Sequence, residues 1–202
     1  MQIALPDLDA PATLVLDPEN RLSDDEYFDF CMANPDVRIE RTAEGEIVIV
    51  PPAGGESDYR NWDASGQLYG WVKKTRQGAG FGPSVQFLLP DGSALSPDSA
   101  WVSDERIAAL TKKQRRRFPP VVPEFVIEVM SPGDRLKAAQ RKMRQWMDNG
   151  VELGWLIDGD NRCVYVYRKG REMRQLRDVN QIAGEGPVEG FVLDLTTIWK
   201  GL

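Results

Sequence analysis

Apolar positions along this chain change their spacing several times, and each change predicts an element. Leu22 to Met32, LSDDEYFDFCM, offers Ser23 as a helix cap, acids in the first turn, and Tyr27, Phe28, Phe30 and Cys31 as an apolar face. This predicts a short opening helix. VRIER, the turn AEG and the β-branched run EIVIVPP predict a hairpin that turns at Gly45 and stops at Pro51. From Ser57 to Lys74, the residues Trp62, Ser65, Leu68, Tyr69 and Val72 recur at helical spacing until Gly78 and Gly80 interrupt them. Three strands are expected next, at Gly82 to Leu89, Ser99 to Val102 and Glu124 to Met130. A basic helix-to-loop stretch, Asp104 to Phe118, separates the second from the third.

The third of these strands, EFVIEVM, is almost continuously apolar, as a central strand covered on both faces should be. After Ser131-Pro132-Gly133 the spacing turns helical again, with a stripe of Leu136, Ala139, Met143, Trp146 and Met147 closed by Asn149-Gly150. VELGWLID, the turn GDNR and CVYVYRKG predict a second hairpin, and a final strand near Phe191 to Leu195 precedes Trp199. A strand, a helix and another strand set among β-hairpins predict an α/β fold, a mixed β-sheet flanked by helices. Residues 1–20, rich in proline and aspartate without a period, are expected to form an N-terminal tail, and residues 21–202 a single domain.

Composition removes whole classes of chemistry. The chain has no histidine, which excludes imidazole-activated nucleophiles, H-E-x-x-H zinc sites and histidine-based nuclease chemistry. Acid–base and metal work must fall to carboxylates and lysines. No phosphate-binding G-x-x-x-x-G-K-[ST] loop and no S-x-x-K occurs, and the glycines at 78, 80 and 82 precede a strand rather than open a helix. Two cysteines, Cys31 and Cys163, with no C-x-x-C fit free thiols in a reducing cytoplasm. The N-terminal MQIALPDLDAP lacks the basic region of a secretory signal, and the longest uncharged stretch, thirteen residues from Gly78 to Pro90, falls short of the roughly 20 apolar residues of a membrane span. A cytoplasmic protein without membrane attachment is expected.

Charge then bounds the partners. Twenty-five basic against thirty-one acidic residues give a net charge of -6, so any nucleic-acid site must be a local patch. KKQRRR is the densest basic run, and Lys112, Lys113, Arg115, Arg116 and Arg117 are candidates to hold DNA phosphates. Arg135, Lys137, Arg141 and Arg144 add charge on the helix that follows the central strand. A solvated surface is the competing reading for the run. The tryptophans mostly sit in apolar patterns and read as core rather than as base-stacking platforms.

Acids in costly places mark the candidate chemistry. Glu128, between Ile127 and Val129 in a buried strand, must be paired, protonated or bound to a cation, unless it points out at a sheet edge. Asp98 follows a proline and enters a short apolar strand, ALSPDSAWV, although S-P-D alone is also a common turn. Together the two acids could supply the hard oxygen ligands that Mg²⁺ or Mn²⁺ prefers. Lys142 is a third element. Glu128 lies about 7 Å below its strand's end, and Lys142 lies roughly 12 Å down the next helix. A lysine reaching about 6 Å towards its own helix N-terminus comes level with that carboxylate. A lysine snorkelling to water is the alternative. Glu40, in the opening hairpin, and Glu56, ahead of the second helix, are secondary acidic candidates.

Pro97-Asp98, PEFVIEVMSPGDR at 123–135, the helix of Lys142 and GVELGWLIDGDNRCVYVYR at 150–168 carry a likeness to a known family. The chain resembles the Uma-type restriction-endonuclease group, a large bacterial family first catalogued as a domain of unknown function within the PD-(D/E)-x-K nuclease superfamily. RIERTAEGEIVIVPPAGGES at 38–57 and GFVLDLTTIW at 190–199 extend the likeness from about Arg21 to the C-terminus. The resemblance implies a restriction-endonuclease-like fold, a magnesium-dependent DNA endonuclease and a homodimer. It makes Asp98 the first acid and Glu128 the second. The superfamily lysine two residues after the second acid is replaced here by Met130, and the resemblance implies that its role moves to Lys142. A catalytically inactive nuclease-fold module for binding or assembly is the alternative that Met130 and the net acidity keep open.

Overall fold

In a computed structural model of the chain, the described residues are 21–202 together with the strand Ala12–Leu14; the expectation of a tail over residues 1–20 otherwise lies outside them. The strands are β1 (Ala12–Leu14), β2 (Arg38–Arg41), β3 (Ile47–Val50), β4 (Ala79–Phe81), β5 (Phe87–Leu88), β6 (Ala94–Leu95) and β7 (Ser99–Val102). They continue as β8 (Phe125–Val129), β9 (Leu153–Asp158), β10 (Cys163–Arg168), β11 (Arg174–Arg177), β12 (Gln181–Ala183) and β13 (Val192–Asp194). The helices are α1 (Asp24–Met32), α2 (Gly55–Thr75), α3 (Asp104–Ala108), α4 (Lys112–Arg115), α5 (Leu136–Asp148) and α6 (Thr196–Lys200). The fold is mixed α/β, with sheets flanked by helices, as the alternation of periods predicted. Among the described residues no helix is long and apolar enough to cross a membrane.

The chain divides into two compact units built from interleaved segments. The first contains a sheet of order β1-β3-β2-β6-β5 with α1 and α4. Its opening hairpin forms where the β-branched run predicted it, and Gly45 turns it at a φ of 86° that a side chain would resist. Ser23 and Glu26 cap α1 reciprocally, which satisfies two otherwise orphan amide donors. The helix buries Tyr27, Phe30 and Cys31 against Ile39, Ile47 and Ala94, while Phe28 stays half-buried with its ring 5.0 Å from that of Phe118.

The second unit holds a six-stranded sheet of order β11-β10-β9-β8-β7-β4. Only β8 and β9 run parallel; α5 is the crossover that a parallel pair requires, while the remaining neighbours are antiparallel. Every residue of β8 is buried. Because side chains alternate across a strand, Phe125, Ile127 and Val129 pack into the cluster that includes Ala64 and Leu68 of α2 and Phe191, leaving Val126 and Glu128 for the α5 face. Gly154 in β9 lets α5 sit close, since a Cβ there would collide with Met143 Cε.

Three expectations change. The strand foreseen over Gly82 to Leu89 shrinks to Phe87–Leu88, preceded by a separate strand at Ala79–Phe81, because glycine and Pro83 cannot continue a ladder. The second helix forms, but its inner face is Ser57, Arg60, Ala64 and Leu68. Trp62 and Tyr69, expected among its recurring apolar residues, are 79% and 61% exposed. The buried register holds a charge, Arg60, because Glu56 and Asp160 pair with it at 2.8 Å each. Strands β11 and β12 were not foreseen; RQLR is polar and mostly exposed, so it shows no alternation to read.

Candidate active site

The antiparallel register pairs Ser99 with Ile127, which sets Asp98 directly across from Glu128, and opposed residues project from the same face. Both acids therefore lie on the face that α5 covers. Asp98 is 8% exposed, and its Oδ2 accepts the amide N–H of Val129 at 2.7 Å. Glu128, also 8% exposed, accepts the indole N–H of Trp146 through Oε1 at 2.8 Å. The Lys142 Nζ lies 3.1 Å from the same oxygen. One turn apart on α5, Lys142 and Trp146 reach the same carboxylate from above, which answers the expense of burying it.

Position 130, two residues on from Glu128, continues the same face by the period of two, and it is a buried Met. The cation on this face comes instead from α5, by the reach that the helix rise suggested. Trp146 was expected only as part of the apolar stripe. Its indole nitrogen was the part that sequence reasoning missed, since a fully buried Trp reads as core and the signal, a donor one turn beyond a lysine, is generic.

The other candidates make contacts of their own. Glu40, in β2 of the first unit, accepts the Ser96 amide at 3.2 Å. Glu56 is engaged by Arg60 at 2.8 Å and by the amide of Leu202 at 3.2 Å. In the basic run, Lys113 and Arg117 pair with Asp25, and Arg117 also pairs with Asp29 and lies over the Phe28 ring at 4.5 Å. Those two donors hold the Asp25 carboxyl below its usual range. Lys112, Lys113, Arg116, Arg117 and Phe28 line a shallow concavity of about 440 Å³, which includes none of Asp98, Glu128 and Lys142. Arg115 donates to the Leu110 carbonyl at 3.0 Å. Arg135 stands at the α5 N-cap, and it, Lys137, Arg141 and Arg144 are exposed.

The donor set suits a hard cation. Among the described residues no three acidic or thiol groups gather as metal ligands, but magnesium is commonly held by one or two carboxylates with water completing its shell. Two carboxylates on adjacent strands, one fixed by a backbone amide and the other by an indole, meet that requirement.

The second unit is thus a mixed sheet on which Asp98 and Glu128 oppose one another across adjacent strands, with Lys142 on the crossover helix. The family described as "Putative restriction endonuclease" (Uma2) matches residues 24–196, and the chain belongs to this family. Among solved structures, one described as "a putative nuclease belonging to DUF820 from Anabaena variabilis" superposes with a TM-score of 0.70 at 20% identity, covering 89% of this chain and 98% of that one. At that identity the likeness speaks for the fold. No curated protein matches the sequence.

Proposed function

We propose that the protein is an endonuclease that hydrolyses phosphodiester bonds in DNA with Mg²⁺ or Mn²⁺ held by Asp98 and Glu128. The observation that carries this reading is the opposition of Asp98 and Glu128 on one sheet face, with Lys142 Nζ of α5 3.1 Å from Glu128 Oε1. A bound divalent cation would supply charge neutralisation at the phosphoryl group and acidify the attacking water. Glu128 is pre-set for that role by the Trp146 indole, and Asp98 by the Val129 amide, so neither carboxylate must reorganise when substrate arrives. Lys142 orients the attacking water and offsets negative charge as it develops on the phosphate. The basic run at 112–117 and the exposed arginines of α5 are the proposed phosphate grips, and two copies acting together would serve the two strands of a duplex.

The test is nicking of supercoiled plasmid with Mg²⁺ or Mn²⁺. Asp98→Ala, Glu128→Ala and Lys142→Ala should each lower the rate by about 10² or more. Cleavage that persists in all three variants would remove these residues from the mechanism. The ion pair itself favours a second reading, because Lys142 already neutralises Glu128 without a cation and Met130 stands where the superfamily lysine belongs. A non-catalytic nuclease-fold module would show no calorimetric Mn²⁺ binding that depends on Asp98 and Glu128.

A further inference from the structure

The outward face of α2 is built the wrong way round for a helix that ends at solvent. Its buried stripe runs through Ser57, Arg60, Ala64 and Leu68. At 100° per residue the diametrically opposite stripe is centred on Gly66 and carries Trp62, Tyr69, Gly70 and Lys73. Trp62 and Tyr69 are the most exposed aromatic side chains among the described large hydrophobic residues, at 79% and 61%. Gly66 and Gly70 are exposed as well, and a Cβ at either would meet nothing within 4 Å. Intramolecular packing therefore does not require a glycine at these positions, and each weakens the helix. Glycine in a helix interior without an internal reason points to a close approach from outside.

Charge says what approaches. The first half of the helix carries Asp58 and Asp63, and its last turn carries Lys73 and Lys74. An antiparallel copy of the same helix sets each acidic half beside a basic end, which is the self-complementarity that a two-fold interface demands. With the two-fold axis at Gly66, the glycines of the two helices meet at the centre. Trp62 and Tyr69 lie on the same edge of the stripe at nearly equal distances from that centre, so Trp62 of each copy falls beside Tyr69 of the other. We propose that this face of α2 is a homodimer interface, in which the Gly66–Gly70 step admits a second α2 and two Trp62–Tyr69 pairs flank it. The inference rests on the two-copy reading given above, to which it assigns an interface, and it does not depend on catalysis.

Sedimentation velocity of the full chain over a wide concentration range should show a particle of twice 22.7 kDa. Gly66→Leu favours the helix but blocks the approach; it should raise the dimer dissociation constant about tenfold or more without lowering the thermal midpoint of the monomer. Lys73→Glu with Lys74→Glu, and separately Asp58→Lys with Asp63→Lys, should each weaken self-association, and mixing the two variants should restore a dimer. A wild-type monomer at every concentration overturns both the interface and the dimeric form of the nuclease. A dimer indifferent to Gly66→Leu overturns the interface alone, and a mixture that fails to reassociate rejects the antiparallel pairing. If the chain is monomeric and Trp62→Ala lowers its duplex affinity, the face belongs to nucleic acid and the dimer is rejected.

Discussion

Glu128 is tolerable in a strand buried on both faces because two donors converge on one of its oxygens. Trp146→Phe keeps the ring in the core and deletes only the indole N–H. A hydrogen bond to a charged group contributes about 1.5–3 kcal/mol, so the urea midpoint should fall by a corresponding amount; an unchanged midpoint would show that the bond does not hold the carboxylate. Lys142→Met should also destabilise by leaving a buried charge poorly compensated, whereas Glu128→Gln with Lys142→Met should recover part of the loss. Cys31 gives a residue-scale test of pH dependence. Burial pushes its thiol up to about 11, so the fold favours the protonated form. That stability is fully present below the unfolded thiol value near 8.5 and is lost as pH rises through the folded value. Native protein at pH 8 should therefore react slowly with a thiol reagent, and its urea midpoint should decline between about pH 9 and 11 by more than that of Cys31→Ala. Equal declines would assign the effect to other groups.

At the scale of elements, the α5 crossover sets the height of Lys142 over the sheet. Gly154→Val would drive a side chain into Met143, and overpacking of this kind costs about 1–3 kcal/mol. It should also lift α5 from β9, so plasmid nicking should fall although no site residue is altered; unchanged stability and unchanged nicking would show that the contact relaxes freely. The same element shows what a sequence makes legible. Met143 and Trp146 announced their side of the helix through spacing, and β8 announced its burial through an unbroken apolar run around one acid. The α2 face was misread because Arg60, a charge, holds a buried position while Trp62 is exposed; polarity and burial part company where an ion pair or a second surface intervenes. RQLR gave no signal because an exposed edge strand is held by its ladder bonds to β10 rather than by side-chain burial. In the first unit, Asp25 and Asp29 of α1 hold Lys113 and Arg117 next to α4, a pairing between segments almost ninety residues apart that no local pattern encodes. Replacing both acids with Asn should free these cations, raise duplex affinity and steepen its salt dependence by a slope of up to about 2. An unchanged slope would mean that the basic run does not meet phosphate.

For the whole molecule, the candidate site was legible as three separate residues, and its two acids are brought together only through register. Asp98 and Glu128 stand thirty positions apart, and their opposition depends on the Ser99–Ile127 pairing, which spacing alone does not fix. That arrangement links local chemistry to global stability. A ligand that binds only the folded chain stabilises it by RT ln(1 + [L]/Kd), about 2.7 kcal/mol at a hundredfold excess over Kd. If Asp98 and Glu128 hold a divalent cation, Mn²⁺ should raise the thermal midpoint of the wild type in a concentration-dependent way and leave Asp98→Asn and Glu128→Gln unmoved. Lys142 gives this test its sharper form. Its ammonium and a divalent cation both draw on the charge of Glu128, so Lys142→Met should bind Mn²⁺ more tightly, with a larger thermal shift, while losing nicking activity. Tighter binding together with lost cleavage would separate holding the metal from using it. A smaller shift would place Lys142 among the groups that build the metal site, and no shift in any variant would leave the carboxylate pair a structural ion-pair cluster.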